Sequence, residues 1–213
     1  MASSRLLVAP ELAAIKVHGM TRESFLLRST LAGAAAYGTL SATGLITKAL
    51  ADSGGGDVDI LNFALTLEFL ETEFYVQAAK QVKGLSSDES KLTKELRDNE
   101  QEHVDALTAT IKKLGGKPAA KPKFDFGGAF GGRAVYLKTA NTLEDTGVSA
   151  YNGAAPMIES GEVLGAAGGI VQIEARHAAM IRLVRNKPPA PAAFDKASDM
   201  DAVLSAVKPF IVA

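Results

Sequence analysis

Apolar side chains recur at intervals of three and four residues through several long stretches of the chain, with polar side chains between them. This period is typical of one face of an α-helix. It predicts four long helices and one short helix, over residues 57 to about 83, 87 to about 114, 133 to 154, 161 to 184 and 200 to 207. No stretch alternates strictly between apolar and polar residues over a useful length, so the expected fold class is all-α.

Glycine and proline mark the ends of the long predicted helices. The breakers are Gly84, Gly115, Gly116, Pro156 and Pro188. Residues 117 to 132, KPAAKPKFDFGGAFGG, contain too many glycine and proline residues for a long helix. The segment is also long for a plain loop. We expect this segment to cross between two helical hairpins. Two hairpins with one long connection form a four-helix bundle, followed here by the short C-terminal helix.

The N-terminal residues differ in composition from the rest of the chain. Residues 29 to 47 carry no charged side chain, and Arg22 and Arg28 precede them. A basic region followed by an apolar one is typical of an export signal. The small residues Ala49 and Ala51 fit a signal-peptidase site. We therefore predict an export signal over residues 1 to 51, and an exported, periplasmic or extracytoplasmic protein.

The export route and the fate of this segment stay open at the level of the sequence. Residues 21 to 26, TRESFL, resemble the twin-arginine motif, but Glu23 stands where that motif has its second arginine. A general secretory signal and a retained anchor are the competing interpretations, and an uncleaved segment would contact a membrane through residues 20 to 51. The alternative is an apolar N-terminal helix packed on the core or on a partner subunit, in a cytoplasmic protein.

Composition limits the rest of the chain to one folded domain of a few functional classes. With 213 residues and 47% apolar side chains, the chain can bury one sizeable core, expected within residues 52 to 213 and mainly within 57 to 185. The net charge of −1 and the lack of basic clusters argue against nucleic-acid binding. Because the chain has no cysteine, any metal must be bound by carboxylate and imidazole.

Two Glu-x-x-His motifs supply both kinds of ligand. Glu100 and His103 lie in the second predicted helix, and Glu174 and His177 lie in the fourth. A single motif of this kind is common on a solvated helix face. Two copies, each in the second helix of a hairpin, indicate an internal repeat.

The first helix of each hairpin carries the other half of the repeat. Glu68 is followed by Tyr75, and Glu144 by Tyr151, seven residues later in both cases. Glu68 precedes the glutamate of its motif by 32 residues, and Glu144 precedes its own by 30 residues. The chain therefore predicts four helices that each contribute a carboxylate to one place.

Two further glutamates compete with Glu68 in the first helix. Glu71 and Glu73 are near it, but only Glu68 keeps the seven-residue step to a tyrosine. Glu71 lies one turn further along the same predicted face. Three interpretations of Glu71 remain open: it supports the ligands, it binds a cation at a third site, or it is a surface residue.

Side chains three or four residues apart on a helix lie on one face, about 5 to 6 Å apart at Cβ. Isolated charges are costly to bury, so carboxylates inside a bundle need cations. Two metal ions about 3.5 to 4 Å apart would satisfy both requirements, with Glu68 and Glu144 as bridges and the two Glu-x-x-His pairs as terminal ligands. A donor set of oxygen and imidazole suits iron or manganese.

The stretches LTLEFLETEFY, EQEH, NTLEDTGVSAY and QIEARH resemble the ferritin-like di-iron carboxylate proteins, over roughly residues 57 to 185. Within that superfamily the chain is similar to bacterial ferritin-like domain proteins of the desiccation-related kind. The resemblance implies six metal ligands, Glu68, Glu100, His103, Glu144, Glu174 and His177. It also implies catalytic roles for Tyr75 and Tyr151, which would hold a ligand carboxylate or supply an electron.

The resemblance further implies two iron ions, with manganese as the alternative. The expected activity is oxidation of ferrous iron by dioxygen or peroxide, in iron handling or oxidative stress, in a protein that is compatible with a homo-oligomer. The alternative is a structural or stress-protective secreted bundle whose metal site does not turn over. A two-metal hydrolase is less favoured, because the glycines of residues 127 to 132 lack a Lys-Ser/Thr signature.

Overall fold

The computed structural model describes residues 56 to 212 of the 213-residue chain. Its five α-helices in this part are α1 (Asp57–Gln81), α2 (Ser87–Lys113), α3 (Arg133–Ala154), α4 (Gly161–Val184) and α5 (Met200–Val207). Short 3-10 helices occupy Gly127–Phe130, Ala155–Met157 and Lys208–Phe210. The prediction of an all-α bundle with a short C-terminal helix is confirmed.

The predictions for the N-terminal segment concern residues that lie outside this description. Export, anchoring or packing of residues 1 to 51 therefore stays a prediction. Within residues 56 to 212, no helix combines the length and the apolar character needed to cross a membrane.

The four long helices form two hairpins, as the sequence predicted. The helix α1 packs along α2, and α3 packs along α4. The two hairpins meet through α1 with α3 and through α2 with α4. One long connection, residues 114 to 132, joins them, which is the topology of a bundle with a single crossover.

Apolar side chains of the bundle interior form two buried clusters. The first apolar cluster includes Leu70, Phe74, Ala78, Leu96 and Ile181. The second apolar cluster includes Leu61, Leu65, Val104, Ile111 and Ile170. Along α2, residues 100 to 103 lie between Leu96 and Val104, and along α4 residues 174 to 177 lie between Ile170 and Ile181. The Glu-x-x-His motifs are therefore enclosed between two water-excluding clusters.

The crossover contains a feature that the sequence did not predict. Strand β1 (Lys123–Phe124) pairs antiparallel with β2 (Ile211–Val212). Two residues are too few to show the alternation that predicts a strand. The Phe126 ring next to this ladder packs edge-on against Phe74 of α1, with ring centroids 5.2 Å apart. The crossover is thus fixed to both the first hairpin and residues 211 to 212.

A capping box fixes the N-terminus of α2. The hydroxyl oxygen of Ser86 accepts a hydrogen bond from the backbone N–H of Glu89 at 3.2 Å, and the Glu89 carboxylate accepts one from the backbone N–H of Ser86 at 2.8 Å. Glu89 also forms an ion pair with Arg133 at the start of α3. The first residue of α2 is the predicted Ser87, and the residue that caps the helix is the one before it.

We expect Ser86→Ala to lower the free energy of unfolding by about 1 kcal/mol, because the first turn of α2 then loses its side-chain acceptor. For a domain of this size, that cost corresponds to a fall of roughly 2 to 4 °C in the thermal midpoint. Circular dichroism melts measure it. Ser87→Ala is the matched control and should leave the midpoint unchanged, whereas equal losses in both variants would contradict the capping role of Ser86.

Candidate metal centre

Each long helix directs at least one glutamate into the middle of the bundle. Glu68 of α1, Glu100 of α2, Glu144 of α3 and Glu174 of α4 all have 0% of their surface exposed. The two histidines of the Glu-x-x-His motifs, His103 and His177, are buried beside them. The structure thus brings together the six residues for which the resemblance implied a metal-binding role.

Three carboxylates converge on one nitrogen of His103. Its Nδ1 lies 3.2 Å from Oε2 of Glu68, 3.0 Å from Oε2 of Glu100 and 3.0 Å from Oε1 of Glu174. These acids belong to three different helices. One imidazole nitrogen can donate or accept only one strong hydrogen bond, so this convergence exceeds what hydrogen bonding requires.

The second histidine has a similar environment. Nδ1 of His177 lies 2.8 Å from Oε1 of Glu100 and 3.4 Å from Oε2 of Glu144. It forms no well-directed hydrogen bond with either oxygen or with any other described group. The side-chain amide of Asn99 lies 3.0 Å from Nε2 of the same ring and fixes its orientation. The repeat did not reveal Asn99, because the corresponding position of the second half is Ile173.

The two tyrosines of the repeat hold carboxylates across the hairpins. The hydroxyl of Tyr75 in α1 donates a hydrogen bond to Oε1 of Glu144 in α3. In return, the hydroxyl of Tyr151 in α3 donates one to Oε1 of Glu68 in α1, at 2.6 Å. Burial, followed by the nearby carboxylates, raises the pKa of both phenols well above 10. Both tyrosines therefore remain protonated donors that orient one carboxylate each.

The acids and histidines of the described residues form two groups of potential metal ligands. One group is Glu68, Glu100, His103 and Glu174, and the other is Glu100, Glu144, Glu174 and His177. Within each group one ligating atom per residue lies within 4.8 Å of the others. Glu100 and Glu174 belong to both groups.

This grouping differs from the bridging roles predicted from the sequence. Glu68 and Glu144 were expected to bridge, but among the described residues each belongs to one group only. The shared residues are the glutamates of the two Glu-x-x-His motifs, which were expected from the sequence to be terminal ligands. Spacing along a helix shows which residues share one face of that helix. It does not show how the four helices are positioned relative to one another along the bundle axis.

The family model of the ferritin-like domain matches residues 56 to 187, and this range includes all six residues of the two groups. The chain belongs to the ferritin-like family. A search of the curated proteins found no match. The family membership confirms the resemblance inferred from the sequence motifs, at the level of the ferritin-like fold.

The donor atoms of this ferritin-like centre fit a cation. Among the described residues, several buried ligating atoms have no hydrogen-bond partner: Oε1 of Glu100, Oε2 of Glu144, both carboxylate oxygens of Glu174 and Nδ1 of His177. Buried polar atoms are normally paired, so unpaired ones indicate a missing partner. All of these atoms belong to the oxygen and imidazole donor class, which suits iron, manganese or zinc.

Burial and mutual repulsion determine the protonation of the carboxylates. Burial raises the pKa of Glu68 to about 7 and also raises that of Glu144. Burial, followed by the charge of Glu100, raises the pKa of Glu174 well above its ordinary value. In the metal-free protein, burial therefore favours the protonated forms of these acids, and a bound cation would compete with protons for them.

For the two histidines, the neighbouring charges have a larger effect on the pKa than burial has. Burial opposes their protonation, but the neighbouring carboxylates outweigh it and raise the pKa of His103 to about 12 and that of His177 to about 10. Burial acts against ionisation of Glu100 as well, but the hydrogen bond with His103 and the close approach of His177 lower its pKa to about 2. In the metal-free centre, the protonated histidines and the raised pKa values of Glu68, Glu144 and Glu174 therefore both reduce the net negative charge.

The two competing glutamates of α1 occupy different environments. Glu73 is partly exposed and forms an ion pair with Lys121, with a nitrogen–oxygen distance of 2.5 Å. Glu71 is only 2% exposed, which excludes the interpretation as a surface residue. It belongs to neither group of potential ligands in the described part of the chain.

Proposed function

We propose that this ferritin-like protein binds a pair of iron ions, with manganese as the alternative, and oxidises ferrous iron with dioxygen or peroxide. The observation that carries the proposal is the overlap of two buried four-residue groups through Glu100 and Glu174. Shared carboxylates bring two cation positions close to each other. This arrangement is suited to two metals that react together.

Charge balance supports a pair of cations rather than one. The centre contains four buried carboxylates and two imidazoles, and either group alone includes three of the carboxylates. When all four carboxylates are ionised, a single divalent cation would leave two negative charges without compensation in the interior, where uncompensated charge is costly. Two divalent cations match four carboxylates.

The bound iron pair would supply one-electron redox chemistry, and the donor set of carboxylate and imidazole suits iron. Oxidation of two ferrous ions releases two electrons. With two protons, these electrons reduce one dioxygen to hydrogen peroxide, or one hydrogen peroxide to two waters. The chain's own residues hold the ligands and control access of water and protons.

Three features of the chain prepare the site for this role. Tyr75 and Tyr151 hold Glu144 and Glu68 in place through hydrogen bonds, so these carboxylates are oriented before a cation binds. Asn99 orients the ring of His177. The two apolar clusters exclude water on either side, which strengthens electrostatic attraction between the carboxylates and a cation.

Addition of ferrous iron to the purified protein tests the proposal in two stages. Without oxygen, the wild type should bind iron that a Glu100→Ala/His177→Ala double variant does not bind. After oxygen is admitted, the wild type should consume it and the variant should not. Oxygen uptake is measured with an electrode, and bound iron by metal analysis after gel filtration.

A matched control separates the site from general damage to the bundle. Glu102 and Arg176 are exposed residues of the same two helices, so Glu102→Ala/Arg176→Ala should behave as the wild type does. Equal iron binding by the wild type and the core variant would refute the metal centre. Iron binding with thermal stabilisation but without oxygen uptake would support the stress-protective alternative instead.

A further inference from the structure

Glu71 is a buried acid that the six-residue centre does not use. It lies one helical turn after Glu68 on α1 and is 2% exposed. Neither of its carboxylate oxygens has a hydrogen-bond partner among residues 56 to 212. A buried carboxylate without a donor is unfavourable unless it is protonated or bound to a cation.

The internal repeat places Glu71 opposite a glycine. Glu68 and Tyr75 have their counterparts 76 residues later, at Glu144 and Tyr151, and the same step leads from Glu71 to Gly147. One half of the bundle thus has an additional carboxylate where the other half has no side chain at all. The centre is asymmetric at this position.

The space above Gly147 is occupied by carboxylate oxygens. A Cβ atom at residue 147 would lie 3.2 Å from Oε2 of Glu174 and 3.4 and 3.5 Å from the two oxygens of Glu71. Three oxygens of two acids therefore surround one small volume. A methyl group at residue 147 would be in tight contact with Oε2 of Glu174 and in van der Waals contact with both oxygens of Glu71, so the glycine keeps this volume open beside both carboxylates.

The two oxygens of Glu174 face different partners. Oε1 lies 3.0 Å from Nδ1 of His103, in the first group of potential ligands. Oε2 is the oxygen near Gly147 and Glu71, and it has no hydrogen-bond partner in the described part of the bundle. Burial and the charges of Glu174 and Glu144 all act against ionisation of Glu71 and raise its pKa. A cation between the two acids would remove this repulsion.

We propose that Glu71 and Glu174 bind a third divalent cation above Gly147, beside the metal pair. This inference rests on the proposed function, because Glu174 is also a ligand of the pair. The third position offers carboxylate oxygens and no imidazole, a donor set that suits manganese or magnesium. With ligands from two protein residues, it should bind its cation more weakly than either position of the pair.

Titration of the metal-free full chain with Mn²⁺ alone tests the third position without any oxidation chemistry. Equilibrium dialysis gives the number of bound ions, and electron paramagnetic resonance gives the free ion. The wild type should bind two equivalents tightly and a third more weakly. Glu71→Gln keeps the shape of the side chain and removes its charge, so this variant should lose the third equivalent and keep the first two.

Two further variants complete the design. Glu73→Gln makes the same change two residues along α1, at the partly exposed acid, and should still bind three equivalents. Gly147→Ala places a methyl group against the carboxylate oxygens and should weaken the third equivalent at least tenfold. Retention of the pair by both Glu71→Gln and Gly147→Ala would show that these bundles remain folded.

The possible outcomes separate the two proposals. If the wild type bound only two equivalents of Mn²⁺, or if Glu71→Gln still bound three, the third position would be overturned and the pair would be unaffected. No binding of Mn²⁺ by the wild type would overturn the metal pair itself, and the third position with it. Loss of the third equivalent in Glu73→Gln as well would also contradict a specific role for Glu71.

Discussion

Glu100→Gln is expected to abolish tight metal binding at both positions of the pair. The residue belongs to both groups of potential ligands, and its two oxygens approach different histidines, Oε2 near His103 and Oε1 near His177. A glutamine amide can offer one neutral oxygen and cannot replace a carboxylate that serves two cations. The loss of affinity should exceed the roughly 10- to 100-fold cost of removing an outer-shell partner.

Glu68→Gln is the informative comparison, because Glu68 lies in one group only within the described residues. This variant should lose one tight equivalent of Mn²⁺ and keep the other. Equilibrium dialysis of both variants measures the difference directly. If Glu68→Gln lost both equivalents and Glu100→Gln lost one, the bridging roles would be those first expected from the sequence, and the roles assigned from the structure would be wrong.

The metal-free protein is expected to lose stability as pH rises above about 4.5. Glu68 has a pKa of about 7 in the folded protein against 4.5 ordinarily, so between these values the folded form holds a proton that the unfolded chain has released. Stability from this group is complete below pH 4.5 and is lost as pH rises to 7. From Glu68 alone the loss amounts to roughly 3 kcal/mol.

The histidines extend the same trend to higher pH. Their pKa values of about 10 and about 12 exceed the ordinary 6.5, so their contribution is complete below pH 6.5 and is lost as pH rises through 10 and beyond. Glu100 acts on the acid side: its pKa of about 2 lies below 4.5, so its contribution is lost as pH falls from 4.5 to 2. The metal-free protein should therefore be most stable near pH 4 to 5.

Thermal melts between pH 4 and 10 in the presence of a chelator measure this dependence. Glu68→Gln should flatten the decline between pH 4.5 and 7, and Glu162→Gln, at an exposed acid of α4, should not. Mn²⁺ competes with the bound protons, so its stabilising effect should grow with pH and reach about 2.7 kcal/mol per site at 100 times the dissociation constant. A metal-free protein as stable at pH 9 as at pH 5 would contradict these protonation states.

The sequence was sufficient to predict the helices and the six acids and histidines that the structure brings together. Helical period and the breakers gave bounds close to those observed, because Gly84 and Pro188 interrupt the chain on physical grounds that tertiary packing does not override. The repeat identified the acids and histidines because both halves contain them. A residue present in both halves is visible to this comparison.

Residues that occur in only one half of the repeat were harder to predict from the sequence. Asn99 corresponds to Ile173, and Glu71 corresponds to Gly147, so neither stood out by duplication. The sharing of Glu100 and Glu174 between the two groups of potential ligands also required the structure. It depends on packing between helices, which the spacing along one helix does not report.

The exchanged tyrosine contacts suggest how such a bundle could arise. Tyr75 holds Glu144 and Tyr151 holds Glu68, so each hairpin completes the other. A free-standing hairpin with one glutamate, one tyrosine and one Glu-x-x-His would make the same contacts with an identical copy about a twofold axis. The fused chain is thus equivalent to a tethered homodimer. Tethering lets each half diverge alone, and the pairing of an acid with a glycine at 71 and 147 is a divergence that an unlinked homodimer could not encode.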